Sequence, residues 1–201
     1  MDLTGIILAG GQSTRMGQNK ALLPVGNSTF IEEVIGILSE VTRSLLIIAN
    51  IPEAFAHLRL PMHPDIHPGV GPLGGIHTGL SVSTTKYNLF LACDMLFTPV
   101  GFLRYLVKAV GGFDGAVPKG RNGYEPLCAV YSKTCLRPIE RQIEAGHFKV
   151  IDFFEQISIR TVGEEIIDRY DPDGTMFMNI NTKADYRRAL SLFRRQRQVL
   201  N

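Results

Sequence analysis

Gly5-Ile6-Ile7-Leu8-Ala9-Gly10-Gly11-Gln12-Ser13-Thr14-Arg15-Met16-Gly17-Gln18-Asn19-Lys20 decides the fold, because an apolar run passes directly into a glycine-rich loop that ends in cations. The run from Gly5 to Leu8 is too apolar to face water on either side. It predicts a central parallel strand with both faces covered. The loop then leaves the strand at its carboxyl end, the end at which open α/β sheets bind ligands. Gly10, Gly11 and Gly17 let backbone amides approach anionic oxygens with no Cβ in the way. Arg15 and Lys20 add charge, and the planar fork of arginine suits bidentate contact with phosphate. The segment predicts a phosphate cradle.

Spacing rejects two common phosphate motifs. A Walker loop carries lysine directly after its last glycine, whereas Gln18 and Asn19 separate Gly17 from Lys20. The dinucleotide fingerprint fails as well, since the glycine after Gly11 is Gly17 and G-x-G-x-x-G cannot be placed. The pattern L-A-G-G-x-S-x-R-M-G-x-x-K-A-L-L, from Leu8 to Leu23, resembles the signature loop of nucleotidyltransferases. Among these it is most similar to the molybdenum cofactor guanylyltransferase family, and the likeness extends over nearly the whole chain.

Outside the loop, apolar runs alternate with helical patterns, which predicts βαβ units and a three-layer, doubly wound, Rossmann-like α/β fold with a mostly parallel sheet. Thr29 and Glu32 form a capping box ahead of a helix whose buried face is Phe30, Val34, Leu38 and Val41. Residues 45–49 read as the second strand. The proline-rich stretch 61–72 cannot be helical throughout, and Gly71-Pro72-Leu73-Gly74-Gly75 turns into a short helix. Residues 88–93 form another apolar strand running into Asp94. Thr98 and Pro99 read as N-cap and first-turn proline of a helix with Leu103, Leu106, Val107 and Val110 inward and Gly111 at its end. Residues 115–118 and 127–131 look like strands, with an antiparallel sheet edge expected there. Residues 138–145 look like a helix stopped by Gly146. A strand at 176–180 is expected before a helix opened by Thr182, with Tyr186, Ala189, Leu190 and Phe193 on its apolar face.

The 201 residues predict a single domain, 1–201, large enough for a core that needs no disulfides or structural metal. A net charge of +2 without a long basic block disfavours nucleic acid as partner, and the terminal arginines Arg187, Arg188, Arg194, Arg195 and Arg197 read as a solvated face. Three cysteines without C-x-x-C spacing argue against a disulfide framework or a zinc site. A reducing, cytoplasmic setting is expected. No apolar run reaches the roughly 18 residues that a membrane span needs.

Asp94 follows the apolar strand directly, and a carboxylate there needs a partner. An ordinary turn or helix-capping aspartate would satisfy that description. Cys93-Asp94-Met95-Leu96-Phe97, however, resembles the family's C-D-M-P-F motif, which implies that Asp94 binds magnesium and the nucleotide phosphates. Leu96 replaces the usual proline, and Asn19 stands where aspartate is common. The resemblance likewise implies nucleotide-binding roles for Leu8, Ala9, Gly10 and Lys20, and for Asp65, which precedes the G-P-L-x-G segment at Gly71. A further nucleotide-contacting Asn of the family's second strand falls on Ile48 when strands are matched without gaps, so no role passes to Asn50. Phe177-Met178-Asn179-Ile180-Asn181-Thr182 resembles a segment near the bound pterin, making Asn179 and Asn181 candidates on that side. Glu125-Pro126-Leu127 resembles a segment of the acceptor half with no role assigned.

Other chemistry is excluded from the residues. His63 and His67 have the spacing of a helical zinc pair, but Pro61, Pro64 and Pro68 prevent the helix. Cys93, Cys128 and Cys135 read as small buried hydrophobes. The resemblance therefore implies transfer of GMP from GTP to the molybdenum-bearing molybdopterin, with Mg²⁺ as cofactor and Arg15, Lys20 and Asp94 as catalytic residues. The N-terminal half would hold GTP and the C-terminal half the pterin. Cytidylyl or sugar-phosphate nucleotidyl transfer, and a non-catalytic GTP-binding accessory role for molybdenum enzymes, stand as alternatives.

Overall fold

The computed structural model describes residues 2–10 and 19–199. In chain order, β1 (Leu3–Leu8) precedes the short hairpin β2 (Pro24–Val25) and β3 (Ser28–Thr29), then α1 (Phe30–Ser39), β4 (Ser44–Ile48), β5 (Met62–His63), α2 (Pro72–Val82) and β6 (Tyr87–Ala92). The second half contributes α3 (Val100–Ala109), β7 (Gly115–Gly120), β8 (Gly123–Tyr124), β9 (Cys128–Ser132), α4 (Leu136–Glu144), β10 (Ile159–Val162), α5 (Glu164–Tyr170) and α6 (Lys183–Val199).

The main sheet runs β10-β7-β9-β6-β1-β4-β5, with β8 paired to β7 off this path. β1 lies between β4 and β6 and is parallel to both, as its apolarity on both faces requires. Alternation along the strands assigns their side chains to two cores. Leu3, Ile7, Leu89 and Leu91 join one core with Phe30 and Val34 of α1, Leu103 and Leu106 of α3, and Ala189 and Phe193 of α6. Ile6, Leu8 and Phe90 join the other with Leu73, Ile76 and Leu80 of α2 and Ile139 of α4. Helices thus cover both faces of the sheet, giving the expected three layers.

Local signals act where the sequence places them. Thr29 and Glu32 complete the capping box of α1, the Glu32 carboxylate accepting from the Thr29 N–H at 2.7 Å. The Thr29 hydroxyl, a second donor to it, is the main reason the Glu32 carboxyl sits below its ordinary range. Pro72 is the first residue of α2, where its missing N–H costs nothing. Asp185 reaches back to the Thr182 N–H at 2.8 Å while Thr182 accepts from the Asp185 N–H at 3.1 Å, so Thr182 caps α6 as expected.

Four expectations need correction. β9 is antiparallel to both β6 and β7 and sits between them, so the antiparallel strand is internal and not an edge. Residues 176–180 form no strand. The buried Asp171 carboxylate instead gathers the N–H groups of Thr175 and Met176 at 2.8 and 2.9 Å and curls the chain away from sheet geometry. At α3 the cap is Pro99, since the Thr98 hydroxyl donates back to the Met95 carbonyl instead of receiving a helix amide. Beyond that helix Gly112, not Gly111, takes the left-handed turn, with φ of 83°.

α2 lies close enough to the sheet that a Cβ at Gly79 would meet Phe90 Cε1 at 2.8 Å and Ile6 Cδ1 at 3.0 Å. Gly79→Ala therefore overpacks the second core, and the strain outweighs the gain in helix propensity. The expected outcome is a loss of about 1–3 kcal/mol, read by chemical denaturation. An equal or raised midpoint would show that the helix can lift without cost.

Candidate nucleotide site

The carboxyl ends of β1, β4, β5 and β6 come together through the backbone just beyond β1. The Ala9 N–H donates to the Ile48 carbonyl at 2.9 Å, while the Leu8 carbonyl accepts from the Cys93 N–H at 3.1 Å. β1 is tied to β4 on one side and β6 on the other, which leaves Gly10 between two polar centres.

The first centre is Lys20, Asp94 and Asn181. Asn19 caps the 3-10 turn Lys20–Leu22 by accepting the Ala21 N–H at 3.1 Å, so the amide does locally what an aspartate would do there. Lys20 Nζ then donates to Asp94 Oδ2 at 2.8 Å and to Asn181 Oδ1 at 3.0 Å. The Lys20 and Asp94 side chains are 20% and 18% exposed, sheltered enough for a pair and still open to a ligand. The expected carboxylate partner is Lys20 itself. Asn181 is brought to the same ammonium, whereas Asn179 is exposed and makes no side-chain hydrogen bond to another described residue.

The second centre is Asp65 and Asn50. Asn50 Nδ2 donates to Asp65 Oδ2 at 2.8 Å, and Asn50 Oδ1 accepts the Asp65 N–H at 2.8 Å. Asp65 Oδ1 is buried with no hydrogen-bond partner among the described residues. A Cβ at Gly10 would lie 3.6 Å from Asp65 Oδ2 and 3.8 Å from Asn50 Nδ2, so the first centre's loop begins against the second centre. Gapless strand matching passed over Asn50. The signal that finds it is register: β4 and β5 pair Ile48 with His63, and two residues on, Asn50 stands beside Asp65. Ile48 itself is core.

Arg15, Gly11 and Gly17 lie outside the described residues. Glu125 leads into β9, its N–H on the Pro118 carbonyl at 2.9 Å, and burial pushes its carboxyl up to about 7. Burial, with Asp94 adding negative charge, pushes the Cys93 thiol up to about 12, and burial does the same at Cys135, so neither is a nucleophile near neutral pH. The His67 ring packs against His77 at 4.7 Å between centroids, tilted by 60°, while His63 is exposed on β5. Among the described residues no helix is long and apolar enough to cross a membrane.

The Lys20–Asp94 pair at the switch between β1 and β6 stands where open α/β sheets bind ligands, which makes this a mostly parallel α/β protein with a candidate ligand site at its strand ends. Residues 5–159 match the family described as "MobA-like NTP transferase domain". A protein of Pelotomaculum thermopropionicum named "Probable molybdenum cofactor guanylyltransferase" is 41% identical over 92% of this chain and 90% of its own length. The molybdenum cofactor guanylyltransferase of Desulfosudis oleivorans is 35% identical over 93% and 94% of the two chains. The crystal structure of molybdopterin-guanine dinucleotide biosynthesis protein A from Archaeoglobus fulgidus superposes with a TM-score of 0.81, at 26% identity over 94% of this chain and 97% of that one. The chain belongs to the molybdenum cofactor guanylyltransferases, a family of MobA-like nucleotidyltransferases.

Proposed function

We propose that the protein transfers GMP from GTP to the terminal phosphate of the molybdenum-bearing molybdopterin, forming the guanine dinucleotide cofactor and releasing pyrophosphate in the cytoplasm. The observation that carries this reading is the Lys20–Asp94 pair at the carboxyl end of β6, beside the loop that starts at Gly10.

An oxygen of the pterin phosphate attacks the α-phosphorus of GTP. One P–O bond forms as the bond to the β-phosphate bridging oxygen breaks, and pyrophosphate leaves with that electron pair. The nucleophile is already ionised near neutral pH, so no side chain has to remove a proton. The residues have to offset the repulsion between two anions and the charge that grows on the leaving group. Lys20 does so directly. Arg15 and the loop amides act on the same phosphates, and Asp65 holds the guanosine end.

The donor set suits magnesium. Asp94 Oδ2 and Asn181 Oδ1 are hard oxygen donors that already converge on one cation, the Lys20 ammonium. Among the described residues no group of three or more His, Cys, Asp or Glu side chains is placed to hold a metal. Asp94, with Asn181 beside it, would hold the ion. It would supply positive charge that offsets the phosphates and the leaving pyrophosphate.

Asp94→Asn removes a full charge while keeping shape, so it is expected to raise the magnesium concentration needed for half-maximal rate and to lower the maximal rate. An unchanged magnesium dependence and rate would reduce Asp94 to a turn residue paired with Lys20. The reading as a whole is tested by pyrophosphate release with GTP, magnesium and molybdopterin. GTP binding without release would instead support a non-catalytic accessory role.

A further inference from the structure

We propose that Asn50 is a positioning residue that fixes the Asp65 carboxylate so that Oδ1 is left to accept an N–H from the exocyclic amine of guanine. The inference rests on the reading of Asp65 as a nucleotide contact.

The Asn50 amide is oriented by its partners. A backbone N–H can only donate, so the atom facing the Asp65 N–H has to be Oδ1, and Nδ2 then faces the carboxylate. Two bonds of 2.8 Å to one residue, one to its backbone and one to its side chain, fix both the position of Asp65 and the rotation of its carboxylate. The lock uses Oδ2 alone. Oδ1 is buried and unpartnered among the described residues, which is costly for a charged acceptor that folding could have paired. The donor it lacks is one that no described residue supplies.

The neighbourhood favours a base edge as that donor. A carboxylate accepts and does not donate, and guanine presents N–H donors at N1 and at its exocyclic amine. The lock comes from a neutral amide, so Asp65 keeps its full charge for the ligand, which an arginine or lysine in place of Asn50 would cancel. Glycines flank the carboxylate on two sides. A Cβ at Gly75 would lie 3.7 Å from Oδ1 and one at Gly10 3.6 Å from Oδ2, so neither position sets a side chain against it.

The test is calorimetric titration of the unmodified protein, Asn50→Ala and Asn50→Asp with GTP and with ITP, which lacks the exocyclic amine. The unmodified protein should bind GTP more tightly than ITP. Asn50→Ala should weaken GTP about tenfold and ITP less, so that the two affinities converge. Asn50→Asp keeps the acceptor for the Asp65 N–H but sets carboxylate against carboxylate. Such a pair holds a shared proton at low pH, and the new O–H replaces the amide donor. GTP affinity of this variant relative to the unmodified protein should therefore rise as pH falls from 8 to 5. Taking the ratio at each pH cancels the titration of GTP and of His63, His67 and His77, which both proteins share. A role limited to folding would not give that recovery.

Absence of GTP binding by the unmodified protein would overturn the reading of Asp65 and this inference with it. GTP binding that persists unchanged in both variants would overturn the role of Asn50 alone. Equal losses for GTP and ITP would overturn the base contact.

Discussion

Replacing Lys20 with alanine is expected to lower the rate of GMP transfer by about 10²–10³-fold, the usual cost of removing one preorganised charge from a site of this kind. Among the described residues the side chain donates two hydrogen bonds to other side chains, Asp94 and Asn181, and both partners are polar and reach water, so neither core is built on it. Its loss should therefore appear in kcat far more than in thermal stability. Lys20→Arg should recover only part of the rate, because the guanidinium is larger and delocalised and cannot place a point charge at Nζ. Rates measured under saturating GTP and molybdopterin, with circular dichroism to check folding, decide the matter. Near-normal turnover by the folded alanine variant would leave Lys20 as nothing more than a partner for Asp94.

What the sequence reveals divides by range. β1 is legible because its run from Gly5 to Leu8 is apolar on both faces, and the caps at Thr29 and Thr182 are legible because their donors and acceptors lie within three residues. The position of β9 is not. Its apolar run reads as a strand, but nothing local says that it enters between β6 and β7. Residues 176–180 mislead for a related reason, since their apolar alternation is packed into the first core by Met176 and Ile180 without any ladder. The site follows the same division. Gly10, Lys20 and Asp94 carry motifs that can be read in place, and the structure brings Lys20 to Asp94 across 74 positions. The Asn50–Asp65 lock depends on how β4 and β5 align, which no window of sequence contains.

The second large effect concerns the choice of base, and it follows from what surrounds Gly10. In the resembling families this segment reads L-A-G-G in guanylyltransferases and commonly L-A-A-G in cytidylyltransferases. A Cβ at Gly10 would lie 3.6 Å from Asp65 Oδ2, 3.8 Å from Asn50 Nδ2 and 3.9 Å from the Ile48 carbonyl. All three are ordinary contacts, so the folded chain can accept alanine there without moving. The added methyl would instead occupy space beside the polar centre that a purine needs. A site whose buried acceptor waits for guanine N–H groups should discriminate strongly against cytosine, a smaller ring whose N4 amine does not stand where guanine places its donors and so leaves that acceptor unpaired and desolvated, and discrimination of this type reaches about 10⁴ in sites built around such hydrogen bonds. The unmodified protein is expected to make guanylyl product almost exclusively when GTP and CTP compete at equal concentration with molybdopterin as acceptor. Gly10→Ala should keep its melting temperature and lose most of that preference. Predominantly cytidylyl product from the unmodified protein would overturn the assignment of the base while leaving nucleotidyl transfer in place. A preference that survives Gly10→Ala intact would move the choice of base away from the end of β1, to Asp65 and the start of α2.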